Sequence, residues 1–316
     1  MTTATQTTTA RPVSTPAVAA ARLTPERRRS LADVLTHLTL IVVCIVMLFP
    51  VFWVVSTSFK TQEEIESSKI TLIPETFTLG NYDHILNGMM GTVTVPGEGR
   101  YQVNLFWTWA GNSVLVAGIT TTIGVLLAAS TAYAFSRFKF RGRRVFLMSF
   151  LITQMFPGAI LVVPLYNLLN QWGLLNNWLG LVLAYCTLAL PFSVWMLKGF
   201  FDAIPYDLEE AAIVDGCNAF TAFWRIALPL TLPGIAVVAF FNFMTAWNEF
   251  MLALTFMTGE ANKTLPVGLR NFVFQFNTDW HYMAAGSVLV TIPVMIGFLW
   301  AQRYLLAGLT SGSVKG

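Results

Sequence analysis

Residues 205–229 read PYDLEEAAIVDGCNAFTAFWRIALP and separate two long apolar runs. Pro205 blocks continuation of the preceding run, and Asp207 and Glu210 have the spacing of a capping box, so a short helix is predicted to begin there. Gly216 suits the left-handed conformation that turns a chain at a helix end. Because most loops span only about 4–6 residues, a segment this long is predicted to dock on something outside the membrane.

Asn218 is predicted to cap a second short helix after this turn. The apolar residues of that helix recur at helical spacing and are predicted to form one face, which consists of Phe220, Phe223, Trp224 and Ala227. Such a face could pack on the chain's own membrane helices, or it could fill a groove on another protein. The pair Ala211-Ala212, beside an acid at a tight turn, favours docking on a partner.

The composition is that of an integral membrane protein. Apolar residues make up 55% of the chain and charged residues 11%, with a mean hydropathy of +0.62, whereas soluble domains carry about 25% charged residues. A helix needs about 20 apolar residues to cross the bilayer, and none of the long runs alternates as a barrel strand would. The chain is therefore predicted to be an all-α membrane protein with six transmembrane helices at 34–59, 113–135, 145–169, 178–201, 230–257 and 283–305.

The positions of Lys and Arg predict the orientation. With the N-terminus in the cytoplasm, 14 of the 19 basic residues fall on the cytoplasmic side and the other five outside, which is the usual bias of membrane proteins. Both termini are therefore predicted to be cytoplasmic. Trp107 and Trp109 then fall near the outer end of the second helix, as interfacial aromatic residues do.

Four parts of the chain are predicted from these patterns. The first is a disordered cytoplasmic tail, because it is rich in Thr, Ala, Pro and Arg and has no apolar run. The others are the six-helix domain, the cytoplasmic loop between its fourth and fifth helices, and a C-terminal tail. In order, the four cover residues 1–33, 34–305, 202–229 and 306–316.

Sequence motifs of the common enzymes are absent. The chain contains no GxxxxGK[ST], HExxH, GxSxG or GxGxxG pattern, so no catalytic residue, metal site or bound cofactor is predicted. Ionisable residues inside membrane helices are costly, which singles out Glu249 and its neighbour Asn248 near the outer end of the fifth helix. Two interpretations are open: the pair lines a translocation path, or Glu249 is an interfacial carboxylate bound to backbone or water.

The segment 210–229 fits the pattern EAA-x3-G-x9-I-x-LP at every defined position. This pattern resembles the signature loop of the membrane subunits of ATP-binding-cassette (ABC) importers. The stretches QMFP at 154–157 and KGFF at 198–201, together with the C-terminal residues, are similar to the smaller permeases of bacterial maltose/maltodextrin transporters. The resemblance covers roughly residues 38–316.

The resemblance implies a complex in the bacterial cytoplasmic membrane, in contact with membrane lipid and without nucleic acid. Its other members would be a sister permease, two ABC ATPases that bind ATP and Mg²⁺, and an extracytoplasmic sugar-binding protein. Glu210 would correspond to the acid that docks in the ATPase cleft. The rest of the ATPase-coupling loop would include Ala211, Ala212, Gly216, Phe220, Phe223, Trp224, Ile226 and Pro229. A C-terminal tail would also reach between the ATPases through Ser311, Gly312, Ser313, Val314, Lys315 and Gly316.

The same resemblance implies that the loop at 258–282 enters the binding protein and displaces sugar. The implied cargo is a maltose- or maltodextrin-like oligosaccharide. The stretch WNEF at 247–250 departs from the maltose pattern and occurs in other sugar permeases, so trehalose, a glycerol-phosphate compound or another saccharide is the alternative. Two rival classes are a stand-alone secondary carrier, which would show internal repeats and charges within its spans, and a membrane-embedded enzyme, which would need paired catalytic groups.

Overall fold

The computed structural model describes the backbone of residues 25–95, 99–273 and 278–312, and side chains within 33–92, 100–273 and 278–304. Its α-helices are, in chain order, α1 (Pro25–Thr57), α2 (Gln62–Glu66), α3 (Gly80–Asp83), α4 (Leu105–Arg137), α5 (Arg143–Thr153), α6 (Gly158–Gln171), α7 (Trp178–Ala203), α8 (Asp207–Val214), α9 (Ala219–Ala222), α10 (Leu228–Leu230), α11 (Leu232–Asn248), α12 (Met251–Phe256), α13 (Leu265–Leu269) and α14 (Trp280–Gly312). Two compact units, 1–52 and 53–316, divide the chain.

The first unit contains most of α1, whose side chains from Val34 to Phe52 are almost all exposed. The helix begins at Pro25, although the sequence analysis predicted a disordered tail as far as residue 33. Proline is favoured at the first helical position, because its missing N–H has no partner to lose there. The rest of the predicted tail, residues 1–24, lies outside the described residues.

Four helices are long and apolar enough to cross a membrane: 33–57 of α1, α4, α7 and 280–304 of α14. Two bent helix pairs pass the same test when each pair is taken together. One pair is α5 with α6, bent by 102°, and the other is 219–230 with α11, bent by 78°. The described residues therefore contain four to six candidate spans.

The predicted third span, 145–169, is broken rather than continuous. Pro157 has an extended backbone (φ −58°, ψ 130°) and separates α5 from α6. A proline also disfavours the helical conformation of the residue before it, so the helix ends ahead of this position. Prolines at 164, 191 and 293 lie inside continuous helices. The predicted fifth span, 230–257, is likewise divided into α11 and α12.

A β-hairpin corrects the all-α prediction. Strands β1 (Met90–Val95) and β2 (Gly99–Asn104) pair antiparallel between α3 and α4, with Met90 opposite Asn104 and Val95 opposite Gly99. Thr and Val alternate in β1, and branched side chains of this kind favour a pleated strand. The hairpin is too short to stand out from the apolar pattern, because its strands are six residues each and membrane spans need about 20.

Within the second unit, α4 packs chiefly against α7 and α11, and α11 packs against α14. We call the end of this bundle that carries residues 202–229 the loop end, and the opposite end the distal end. A buried cluster around Trp109, Tyr185 and Trp247 fills the distal end. A second buried cluster, around Tyr133 and Phe201, fills the loop end.

Between these clusters, α4, α7 and α11 meet at Asn242, which bonds to α7 and lies close to α4. The Ser193 hydroxyl of α7 lies 2.6 Å from the amide oxygen of Asn242 in α11. On α4, a Cβ added to Gly124 would lie only 2.8 Å from the Asn242 amide nitrogen. Small residues allow membrane helices to approach closely, and this is the reason that glycine fits here.

Candidate functional site

Helix α8 carries the first part of the signature segment. Its backbone begins at Asp207, and the amides of Glu209 and Glu210 already donate to the carbonyl of Tyr206 at 2.9 and 3.1 Å. The predicted capping box is absent, because no side chain caps this helix. Asp207 is already inside the helix, so its carboxylate is not at the position from which a cap forms.

The turn after α8 has the geometry that the sequence predicted. Gly216 has φ +91°, and its amide donates to the carbonyl of Ile213 at 3.0 Å, while the Cys217 amide donates to that of Ala212 at 2.9 Å. These two bonds are those of a Schellman motif, which ends a helix with a left-handed residue. Asn218 then caps α9 by accepting the Thr221 amide at 2.8 Å, as predicted.

The predicted single apolar face of the second helix is divided in two. Phe223 and Ala227 are buried, whereas Phe220 is 71% and Trp224 45% exposed. The reason is a π-helical turn at Phe223–Ala227, which widens the helix and shifts the side chains away from a 3.6-residue period. The buried part packs on the chain's own helices, since the rings of Phe223 and Tyr133 lie 4.8 Å apart.

Most of the remaining signature residues are exposed at the loop end. Glu210, Ala211 and Pro229 are exposed, Ile226 is partly buried, and Ala212 is buried. Large apolar side chains beside them are also exposed, with Val214 at 86%. Contiguous exposed apolar surface next to a charged group is typical of a site that contacts another protein.

Glu209, the neighbour of the signature acid, is a buried charged residue that the sequence pattern does not single out. Its side chain is only 4% exposed, and one carboxylate oxygen forms an ion pair with Arg137 Nε at 2.6 Å. The other oxygen accepts the Tyr133 hydroxyl at 2.7 Å. Arg137 also donates to the carbonyl of Ile204 at 3.1 Å. In the sequence, this contact could have been suspected from Tyr133 and Arg137, which lie one helical turn apart at the end of an apolar run.

The structure gives Asn248 and Glu249 different surroundings. Leu252 and Ala253 donate their amides to the Glu249 carboxylate at 2.8 and 3.1 Å, so this acid caps α12. Backbone pairing of this kind was one of the two open interpretations. Asn248 is exposed instead and lines an open cavity of 530 Å³, which also has polar groups from Arg270, Ser287 and Thr291.

The segment 258–282 is bound at the distal end by the first turns of α4. Trp109 donates its indole N–H to the carbonyl of Glu260 at 2.8 Å, and Asn112 donates to those of Ala261 and Lys263 at 2.6 and 2.9 Å. Trp109 is fully buried, so its indole packs inside the protein. Short helical turns and α13 give this segment its shape.

The predicted C-terminal tail is described only in part. Helix α14 continues to Gly312, so residues 306–312 are helical, where a tail was predicted. Residues 313–316 lie outside the described residues, and tail contact with an ATPase stays a prediction. Within the part of the chain that the structure describes, no cluster of three or more metal-ligating side chains is found.

The fold is a bundle of apolar helices with an exposed, glycine-turned segment at its loop end. The sequence profile of the family described as "Binding-protein-dependent transport system inner membrane component" matches residues 121–311. The chain belongs to this family.

Curated relatives support the same assignment. The chain is 40% identical over 271 residues to the trehalose transport system permease protein SugB of Mycobacterium tuberculosis, covering 85% of this chain and 93% of the relative. It is 34% identical to the diacetylchitobiose uptake system permease protein DasC of Streptomyces coelicolor (92% and 100% covered). It is 35% identical to the maltose/maltodextrin permease MalG of Vibrio parahaemolyticus (89% and 95% covered).

A solved structure has the same fold. It is a bacterial ABC transporter involved in the import of the acidic polysaccharide alginate, with a TM-score of 0.74 at 22% identity, covering 90% of this chain and 99% of the other. The relatives are permease subunits, so the resemblance stated from the signature loop is confirmed. The chain is accordingly a transporter membrane subunit, and ATP hydrolysis belongs to the partner ATPase.

Proposed function

We propose that this chain is the permease subunit of an ABC importer that moves a short oligosaccharide across the bacterial cytoplasmic membrane. The observation that carries the proposal is the exposed acid of α8 beside a Schellman turn, with apolar side chains around it. This arrangement fits a groove on an ATPase, whose basic residues would pair with Glu210. Relatives named for trehalose, diacetylchitobiose and maltose indicate the sugar class.

The proposed topology has six spans with both termini in the cytoplasm. The pair α5 and α6 then counts as the third span and α11 with α12 as the fifth, which adds two to the four single helices. Residues 219–229 stay in the cytoplasmic loop. The 14 to five division of basic residues supports this orientation. The loop end is then cytoplasmic and the distal end extracytoplasmic.

The proposed partners are a sister permease, two ABC ATPases that hold ATP and Mg²⁺, and an extracytoplasmic sugar-binding protein. A similar fold occurs in the alginate transporter that was solved in complex with an alginate pentasaccharide-bound periplasmic protein, with a TM-score of 0.63 at 14% identity. Shifting a two-state equilibrium from 1:99 to 99:1 needs about 5.5 kcal/mol of differential binding. ATP binding by the partner subunits would supply it through residues 202–229.

The proposed translocation path includes the cavity at Asn248. Its amide and the hydroxyls of Ser287 and Thr291 offer hydrogen-bonding groups of the kind that sugar hydroxyls need. Glu249 would serve the path indirectly, by fixing the start of α12. A cysteine at position 248 should react with thiol reagents more slowly when sugar is being transported. Reaction at an unchanged rate would count against this path.

Reconstitution tests the proposal. The chain, its sister permease and two ATPase copies are placed in proteoliposomes, and uptake of maltotriose, maltose and trehalose is measured with sugar-loaded binding protein. We expect ATP-dependent uptake of at least one of these oligosaccharides, and none when the ATPase carries an inactivated nucleotide site. Uptake by the purified chain alone would exclude the ABC mechanism and favour a secondary carrier.

A further inference from the structure

We infer that α4 mechanically connects two functional surfaces of this subunit, the coupling helix α8 at the loop end and residues 258–273 of the segment 258–282 at the distal end. The inference rests on the proposed function, since it assigns a route between the ATPase and the binding protein. It adds positioning residues at both ends of α4 that the signature motif does not contain.

At the loop end, α8 is fixed to α4 by a buried, charge-assisted contact. Both carboxylate oxygens of Glu209 are used, one by Arg137 and one by Tyr133. The two charged side chains are 8% and 4% exposed, which leaves little water to replace either partner. Breaking a buried pair of this kind leaves an uncompensated charge, so the contact resists separation. A displacement of α8 is therefore passed to the end of α4.

At the distal end, α4 binds the segment 258–282 through its backbone. Trp109, Asn112 and Ser113 stand at i, i+3 and i+4, so they share one face of the helix. Trp109 and Asn112 donate to three carbonyls of the segment, and the Ser113 hydroxyl accepts the Leu265 amide at 2.7 Å. Gly268 packs so closely that a Cβ there would lie 2.0 Å from the Trp109 ring.

The helix between these ends is suited to carrying a displacement. It has 33 residues and no proline, and at 1.5 Å per residue it is about 50 Å long. The other long helices, α1, α7 and α14, each contain a proline, which removes a backbone hydrogen bond and permits bending. Helix α7 packs against α4 along its length, but Pro191 lacks a backbone N–H, so α7 has one fewer backbone hydrogen bond at that position.

If α4 connects the two surfaces, breaking the contact at either end should have the same consequence for coupling. Loss of either contact should separate ATP hydrolysis from events at the binding protein, while leaving the two docking surfaces themselves in place. The coupling free energies of such two-site systems correspond to about 5- to 150-fold changes.

The test uses the complete complex in proteoliposomes. Glu209→Gln removes the charge at the loop end, and Asn112→Ala removes two hydrogen bonds at the distal end. For each variant, basal ATPase activity, ATPase activity with sugar-loaded binding protein, and sugar uptake are measured. We expect about a tenfold loss of stimulation and uptake in both variants, with basal activity and subunit assembly retained.

A matched control is Asn81→Ala. Asn81 is also a buried asparagine, and it also donates to two backbone carbonyls, those of Ser58 and Lys60, but it does not contact α4 through these bonds. This variant should keep the stimulation by binding protein, even if its thermal stability falls. If Glu209→Gln or Asn112→Ala fails to assemble, the variant at the other end still tests the inference.

The outcomes separate this inference from the proposed function. If the wild-type complex takes up no sugar, the proposed function itself is contradicted. Normal wild-type uptake, with stimulation within about twofold of wild type in both Glu209→Gln and Asn112→Ala, would show that α4 does not connect the two surfaces. Equal losses in Asn81→Ala and Asn112→Ala would assign the effect to general destabilisation and overturn the inference as well.

Discussion

Glu209 and Glu210 are adjacent in α8, yet the first is 3% exposed and bound by two side chains of α4, whereas the second is exposed. Successive residues of a helix point about 100° apart, so two neighbouring acids can lie on different faces. One face holds the helix to its own bundle, and the other is free to meet a partner. The two acids should therefore respond differently to substitution.

Glu210→Lys should weaken binding of the ATPase without disturbing the permease. The change places a cation where an acid would meet a basic cleft, and like charges at an interface can cost several kcal/mol. The variant should insert in the membrane at normal levels but copurify with less ATPase. Glu63→Lys, the same change at an exposed acid of the distal end, is the control and should copurify normally. If a charge reversal on the ATPase restores copurification, the contact is confirmed. Undiminished copurification of Glu210→Lys would contradict the contact.

Gly216→Val should impair coupling through backbone strain alone. No atom lies within 4 Å of a Cβ added at this position, so the substitution causes no clash, but φ is +91°. A branched residue in this region costs on the order of 1–3 kcal/mol. Gly216→Asn should be much milder, because Asn tolerates left-handed conformations. Uptake assays on both variants check this, and equal uptake by the two would contradict the strain argument.

The proposed orientation can be read from cysteine labelling. In a background without Cys44, Cys186 and Cys217, a cysteine at Lys139 should react with an impermeant reagent only after the cytoplasmic face is opened. A cysteine at Gln102, which is exposed on β2, should react in intact cells. The opposite pattern would reverse the topology.

Gly124→Ala should destabilise the centre of the bundle. The new Cβ would lie 2.8 Å from the Asn242 amide nitrogen, and overpacking of this kind costs about 1–3 kcal/mol. Gly118→Ala, on the same helix with nothing within 4 Å, is the matched control. Thermal unfolding in detergent should show a lower midpoint for the first variant alone. Equal midpoints would mean that α4 and α11 separate easily at this level.

The segment after α1 should loosen at low pH. The Glu64 carboxylate accepts the Thr71 hydroxyl at 2.5 Å and the amides of Glu75 and Thr76, and these bonds lower its pKa below the ordinary value of 4.5. A lowered folded-state pKa stabilises the segment above the unfolded pKa, and this stabilisation is lost as pH falls through the folded value.

Hydrogen exchange at the Glu75 and Thr76 amides measures this effect. After correction for intrinsic rates, protection should fall as the pH is lowered below about 4.5. Glu64→Gln should give low protection that does not depend on pH in this range. A pH dependence that persists in this variant would have another origin.

Local chemistry made much of this protein predictable. The apolar runs, the excess of basic residues on one side and the signature pattern each depend on neighbours in sequence, and so do the turn at Gly216 and the cap at Asn218. A glycine with positive φ and an asparagine at a helix start satisfy backbone groups only a few residues away. The bend of the predicted third span also has a local cause, because Pro157 separates α5 from α6.

Long-range packing decided the rest. The signature pattern singles out Glu210, but no short pattern shows that its neighbour Glu209 is buried. That burial depends on Tyr133 and Arg137, which lie more than 70 positions earlier in the chain. Trp109 is of a residue type that is common at membrane interfaces, but here its side chain is buried against Glu260 and Gly268. The sequence by itself determined the class of protein and its docking motif, because span length, charge and turn chemistry are local. The tertiary structure decided which polar groups are buried together, because a buried hydrogen bond depends on a partner that no short pattern contains.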